Sequence, residues 1–274
     1  MSAPSEKIFA GASLGDVDQL RSDLKDHCDQ RIVRKALKAA ARNGHMECLQ
    51  LLMTVSDQGG IDRGLCEAAK YGEEEAVKTL LKKAKPLYDN SRALTNAAAG
   101  GHISCLTHLI DQCYSQYPKS IARALVGAAE NNHEACVDIL LKHTPSDVGL
   151  AASVAASRGY TSILQKLLAH CSPSEHLSRG LVGAMSHHHD DCAKLLIGAC
   201  DARYLSSRAL VVAFEHNNWK LFDVLVPHSD IGQAQTWIGK GNLDDWNEAL
   251  ARRQHTVLQD CVETGHKSAQ GRKI

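Results

Sequence analysis

Ala40-Ala41-Arg42-Asn43-Gly44-His45-Met46-Glu47-Cys48-Leu49 decides the fold, because the segment returns along the chain. It reappears as Ala98-Ala99-Gly100-Gly101-His102-Ile103-Ser104-Cys105-Leu106 and as Ala128-Ala129-Glu130-Asn131-Asn132-His133-Glu134-Ala135-Cys136-Val137. With the residue at the Gly44 position as the mark of each unit, the marks fall at Gly15, Gly44, Gly72, Gly101, Asn132, Gly159, His188 and Asn217. The successive intervals are 29, 28, 29, 31, 27, 29 and 29 residues, too regular for chance. One such unit cannot bury its apolar face alone, whereas a row of them forms one continuous core.

Each unit reads as two helices joined by a tight turn. Seven of the eight marks are glycine or asparagine, the residues that most readily end a helix in the left-handed conformation. Upstream, Leu94, Ala97 and Ala98 recur as Leu125, Ala128 and Ala129, an i, i+3, i+4 stripe on a first helix. Downstream, Cys105, Leu106, Leu109 and Ile110 recur as Cys136, Val137, Leu140 and Leu141 on a second helix. Small residues on one helix and bulky ones on the other allow close stacking.

Composition agrees. Hydrophobic residues make up 44% of the 274 positions, but aromatics only 4%, which favours helix over a sandwich or barrel. Lysine plus arginine number 31 and aspartate plus glutamate 31, a balance that argues against coating nucleic acid or an anionic membrane. Met1 to Lys7 shows no secretory signal, and the longest apolar run, Ala209 to Phe214, is far too short to span a bilayer. The ten cysteines then suit a reducing compartment, so the expected location is cytoplasmic, or a host cytosol for a delivered effector.

The Leu-x-x-Ala-Ala-x-x-Gly-His segment followed by a paired-leucine helix resembles the ankyrin-repeat family over about residues 5–230. Ala40, Ala41, Gly44, His45, Leu52 and Met53 fit the pattern in one unit; Ala97, Ala98, Gly101, His102, Leu109 and Ile110 fit it in another. The family's Thr-Pro-Leu-His opening is replaced by Arg92-Ala93-Leu94-Thr95 or Arg179-Gly180-Leu181-Val182. The interval is also short of the usual ~33 residues. The resemblance therefore implies an all-α, ankyrin-like solenoid of eight or nine helix pairs with reduced or absent β-hairpin fingers. Residues 1–34 read as an N-terminal capping repeat, 35–230 as repeats, 231–264 as C-terminal capping helices and 265–274 as a flexible tail. Asp23 makes the first unit's outer face polar, and Trp246, Ala249, Leu250, Val257, Leu258, Cys261 and Val262 keep the spacing of a closing helix.

The residues with chemical potential fall into repeat columns. Cys48, Cys105, Cys136 and Cys192 stand four residues after the mark, where other units carry Ile163 or Leu221, and Cys113, Cys171 and Cys200 form a second column. Space-filling explains both, and no Cys-x-x-Cys pair argues otherwise. His187-His188-His189-Asp190-Asp191-Cys192 looks like a metal site, yet His189 belongs to the column of His45, His102 and His133, His188 is a turn mark and Cys192 a core residue. No catalytic residue, cofactor site or metal site is expected.

Two surface columns remain. Lys35, Arg63, Arg92, Arg123, Arg179 and Arg208 stand nine residues before their marks, with Leu150 the interruption. They read as the starts of first helices, just after candidate N-caps Asp62, Ser91, Ser178 and Ser207. A ladder of bonds between repeats is favoured over a basic track for an acidic partner. The family resemblance implies that the two residues before each mark face a concave groove. These are Arg42 and Asn43, Lys70 and Tyr71, Ala99 and Gly100, Glu130 and Asn131, Ser157 and Arg158, Ser186 and His187, and Glu215 and His216. They change at every step, as a surface fitted to an irregular partner would.

The resulting expectation is a monomeric, non-enzymatic module that binds another protein through that groove, as inhibitor, adaptor or effector, and binds neither nucleic acid nor membrane. The alternative is a targeting subunit or cryptic enzyme, such as a bacterial effector acting on host proteins, with the repeats as recognition surface. Residues 231–274 are too few for an ordinary catalytic domain.

Overall fold

A computed structural model describes residues 4–26, 29–85, 91–113, 118–143, 147–172, 174–199 and 207–253. Among them the helices come in pairs: α1 (Pro4–Leu14) with α2 (Val17–Asp26), α3 (Gln30–Arg42) with α4 (Met46–Val55), and α5 (Gln58–Tyr71) with α6 (Glu74–Leu81). Then follow α7 (Arg92–Ala99) with α8 (Ile103–Cys113), α9 (Pro118–Glu130) with α10 (Glu134–Leu141), and α11 (Gly149–Ser157) with α12 (Thr161–Leu168). The series ends with α13 (Glu175–Ser186) and α14 (Asp190–Ala199), then α15 (Ser207–Glu215) and α16 (Trp219–Leu225). A short α17 (Ile231–Gln235) and a helix α18 over 243–253 follow. Among the described residues there is no strand and no β-finger. The architecture is an ankyrin-like helical solenoid of stacked helix pairs.

The turn marks are where the sequence places them. Gly15, Gly44, Gly72, Gly101, Asn132, Gly159, His188 and Asn217 all have φ between 53° and 79°. Each is the left-handed residue of a Schellman closure, in which the next residue's N–H donates to the carbonyl four residues before the mark. His45 donates to Ala40, Glu73 to Ala68, His102 to Ala97 and His133 to Ala128, at 2.9–3.0 Å. This bond closes the first helix and turns the chain directly into the second. A small residue at its carbonyl end lets the next repeat approach.

The chain divides into two compact units, Met1–Ala155 with Tyr160–Ser172, and Ala156–Gly159 with Pro173–Ile274. In the first, first helices stack on first helices (α1 on α3, α3 on α5, α5 on α7, α7 on α9), and second helices form a parallel row. Leu37, Leu49, Leu52, Leu65, Leu80, Leu94, Leu106 and Leu109 are wholly buried between the rows, each contributing about 1.5–3 kcal/mol. Second helices are also bridged by charge: Lys166 Nζ reaches Glu134 at 2.8 Å and Asp138 at 2.7 Å. In the second unit α13, α15 and α17 follow one another. The core there becomes aromatic, with Phe214 and Phe222 edge-on to Trp246 at 5.2 and 5.6 Å. Trp246 is fully buried and Ala249 nearly so, whereas Val257, Leu258, Cys261 and Val262 lie outside the described residues.

The expected helix starts need correction. Asp62 and Ser178 are not N-caps, because α5 and α13 begin a turn earlier, after Asp57 and Ser174. Asp57 accepts from the Gly60 N–H at 2.9 Å, which stabilises an opening turn that Gly59 and Gly60 would otherwise disfavour. Asp62 is buried instead and accepts from Gln58 Nε2 and from the Lys85 N–H, both at 2.7 Å. Ser91 does precede α7 but makes no side-chain cap bond, and Ser207 is already helical. The extra turn takes up residues that a hairpin finger would need.

Candidate partner-binding surface

The first helices of the first unit end in exposed pairs. Arg42 closes α3 and Tyr71 closes α5, and the Arg42 guanidinium lies 4.3 Å from the Tyr71 ring centroid, with Lys70 Nζ at 5.5 Å. Such contacts contribute about 0.5–1 kcal/mol at an exposed site, enough to hold one arrangement of side chains. Asn43 donates to the Ser13 carbonyl at 2.9 Å, and Asn131 to the Gly127 carbonyl at 2.9 Å. These two amides are therefore partly structural, while Glu130 is exposed beside Asn131. Ala99 and Gly100 keep the middle of the row low.

In the second unit Arg158 and His187 are exposed and Ser157 and Ser186 half-buried. Glu215 and His216 are exposed at the end of α15, and a ring nitrogen of His216 lies 3.2 Å from one of His188. That histidine pair joins a turn mark to a tip residue of the next repeat. The sequence shows both residues but not their pairing, which depends on the stacking of repeats.

The Lys35 column is exposed throughout, at Lys35, Arg63, Arg92, Arg123, Arg179 and Arg208. Arg179 bonds Glu175 of its own helix at 2.6 Å, and the Arg208 guanidinium lies 5.5 Å from the Trp237 ring centroid. The position before the column makes a bond between repeats: Arg34 Nε donates to Asp57 Oδ1 at 2.9 Å. That hydrogen bond, with one from the Gly60 N–H, holds the Asp57 carboxyl down at about 2. Lys38 pairs with Glu67 at 3.0 Å. Across α3, α5 and α7 these side chains border an open depression of about 660 Å³, whose lining also includes Arg31, Lys70 and Asn96. A second depression of about 470 Å³ shares Lys35, Lys38 and Glu67 with it and ends on Phe9, which is 48% exposed. The sequence reading passed over Phe9, because the lone aromatic of the first repeat carries no repeat signal.

The histidine column is structural in the first unit. The Nε2 atoms of His45, His102 and His133 lie 3.0 Å from the carbonyls of Ser13, Lys70 and Ala99, each in the preceding turn. An N–H donor there requires a proton on Nε2. The residues of the 187–192 segment diverge: His188 turns to His216, His189 packs on the Gly159 turn, and Cys192 enters the core. Cys48, Cys105, Cys136 and Cys192 are buried thiols, as the columns imply, and Cys171 is half-buried. Burial raises the Cys48 and Cys136 pKa and pushes Cys105 up to about 11, which disfavours the reactive thiolate. Cys113 ends α8, and Cys200 lies outside the described residues.

No helix among the described residues is long and apolar enough to cross a membrane. A family model described as ankyrin repeats (3 copies) matches residues 65–152. Among solved structures, the chain is similar to the crystal structure of the human ASB11 ankyrin repeat domain. The two are 19% identical, with a TM-score of 0.50 over 63% of this chain and 85% of that one. No curated protein matches the sequence.

Proposed function

We propose that this chain, an ankyrin-repeat protein, is a non-enzymatic module that grips a partner protein through the ends of its first helices. Ankyrin repeats are generally protein–protein interaction modules. The observation that carries the reading is the contrast between frame and tips. The mark, the alanine column and the buried leucines repeat from unit to unit, whereas the exposed pairs before the marks differ at each step. The Arg42–Tyr71 contact gives this surface one ordered anchor made of the residue types that dominate binding hot spots.

A photo-crosslinking amino acid placed at Tyr71, Glu130 or His187, followed by mass spectrometry of captured proteins, tests it. Partner crosslinks should come from these positions and not from Gln50 or Thr107, exposed on the second helices. Equal or stronger crosslinks from Gln50 and Thr107 would place the interface on the other row and overturn the assignment.

A further inference from the structure

The depression over α3, α5 and α7 has a charge that the whole chain lacks. Among the described residues, seven basic side chains line it against one carboxylate, Glu67, in a protein with 31 charges of each sign. Arg34 pairs with Asp57 and Lys38 with Glu67, Arg63 and Arg92 have interactions of their own, and among the described lining residues basic side chains outnumber carboxylates. A concave surface of one sign focuses its field and raises the local concentration of the opposite charge. The adjoining depression adds an apolar end at Phe9.

We propose that this groove is a docking site for an extended acidic segment of a partner protein, with a large apolar residue of that segment seated against Phe9. The inference rests on the binding-module reading and specifies its ligand. Lys35, Arg63 and Arg92 occupy equivalent positions on three successive first helices. Packed helices lie about 8–10 Å apart, and an extended chain in the polyproline II conformation rises ~3.1 Å per residue with about three residues per turn, so that every third side chain points the same way. A carboxylate at every third residue therefore meets one cation per repeat. Single-stranded nucleic acid fits less well, since its binding sites offer open aromatic faces for stacking. Tyr71, beside the lining residues Arg42 and Lys70, has Arg42 over its ring and Lys70 close by, which leaves Phe9 as the open aromatic among the described lining residues. A bilayer surface is flat and cannot follow a concavity.

The test uses the full chain and fluorescently labelled twelve-residue peptides with aspartate at every third position, serine and glycine elsewhere, and phenylalanine at one end or the other. Anisotropy at ~50 mM salt should show saturable binding of one of these peptides, weakening at least tenfold by ~300 mM as screening shortens the Debye length. Asparagine in place of aspartate should abolish it. Lys35→Ala with Arg63→Ala should weaken binding at least tenfold, and Phe9→Ala severalfold. Arg179→Ala with Arg208→Ala, the same column in the second unit, should leave it unchanged. Circular dichroism checks that each variant is folded. No binding at millimolar peptide, insensitivity to the Lys35/Arg63 change, or equal loss from the Arg179/Arg208 change would overturn the proposal. So would tighter binding of an oligothymidylate of equal charge or of phosphatidylserine vesicles. Crosslinks that persist at Tyr71 while the acidic peptide fails would sink the acidic groove and leave the binding-module reading standing.

Discussion

The two units solve the same turn with different residues. In the first, glycine holds the left-handed position at Gly15, Gly44, Gly72 and Gly101, with Asn132 the one exception, and a histidine or glutamate of the next repeat lies against each glycine. In the second, the same conformation falls to His188 and Asn217 after Gly159. The first unit is filled with leucine and alanine and carries the basic groove; the second closes on Phe214, Phe222 and Trp246. Its open pocket is bordered by Glu215, Asp245, Glu248 and Arg252. The fold thus demands a backbone conformation and a buried volume at each position, and leaves the residue type to local needs. Histidine at a left-handed mark carries strain that glycine does not, while an aromatic cluster supplies burial where no further repeat follows.

The largest expected effect breaks the second unit. Trp246→Ala removes a fully buried indole and should cost about 3–5 kcal/mol. All three tryptophans of the chain, Trp219, Trp237 and Trp246, lie in this unit, so the remaining two report on it. In urea, the fluorescence transition should move to much lower denaturant while a large part of the helical signal survives at the original midpoint. If both signals moved together, the units would form one cooperative array and the contrast between them would lose its energetic meaning.

The next effect tests the turn marks against each other. Gly101 has φ 73°, and a Cβ there would lie 2.5 Å from His133 Nδ1. Gly101→Ala combines left-handed strain with displacement of the His133 ring from the Ala99 carbonyl, and should cost about 2 kcal/mol. His188→Gly goes the other way and should stabilise the second unit by ~0.5–1 kcal/mol, offset in part by loss of the His188–His216 contact. Circular dichroism and fluorescence melts of the two variants give both numbers. A destabilised His188→Gly would mean that the histidine pair outweighs the strain.

These marks were also what the sequence showed best. A left-handed turn residue leaves a direct trace, because few residue types tolerate it, and all eight positions were legible from spacing. The cysteine column was legible for a similar reason, since it alternates with isoleucine and leucine. The start of α5 was not, because Gly59 and Gly60 disfavour a helix and its first turn depends on the Asp57 cap. The basic groove was half legible. Its column could be read, but the depression arises from stacking, which brings Lys70 of a different column into line with Arg31 and Phe9, residues without any repeat signal of their own.

The smallest effect separates the units by pH. In the first unit, Glu74 on α6 accepts from Lys78 at 2.7 Å and faces His108 of α8 at 3.2 Å, and these bonds hold its carboxyl at about 2 against an ordinary 4.5. Asp57, bonded by Arg34 of the preceding repeat, is held at about 2 against 3.8. A depressed carboxylate contributes stability that is complete above its unfolded pKa and is lost as pH falls through the folded one. The first unit should therefore be insensitive to pH above about 5 and weaken progressively from about 4.5 towards 2. In the second unit Asp191 is lowered too, but by Lys194 on its own helix, while the neighbouring Asp190 is met from the next repeat by a neutral amide, Asn218, at 2.8 Å. Exposed pairs contribute little each, so the shift should be modest and larger in the circular-dichroism midpoint than in the tryptophan one. Glu74→Gln sharpens the comparison. It should lower the first unit's midpoint slightly at pH 7, and the difference from the parent chain should shrink as pH falls from about 4.5 and close only below about 2, where Glu74 is protonated in the folded chain as well. A difference that persisted there would mean that Glu74 acts through packing, and the repeats of the first unit would not be joined by charge at this position.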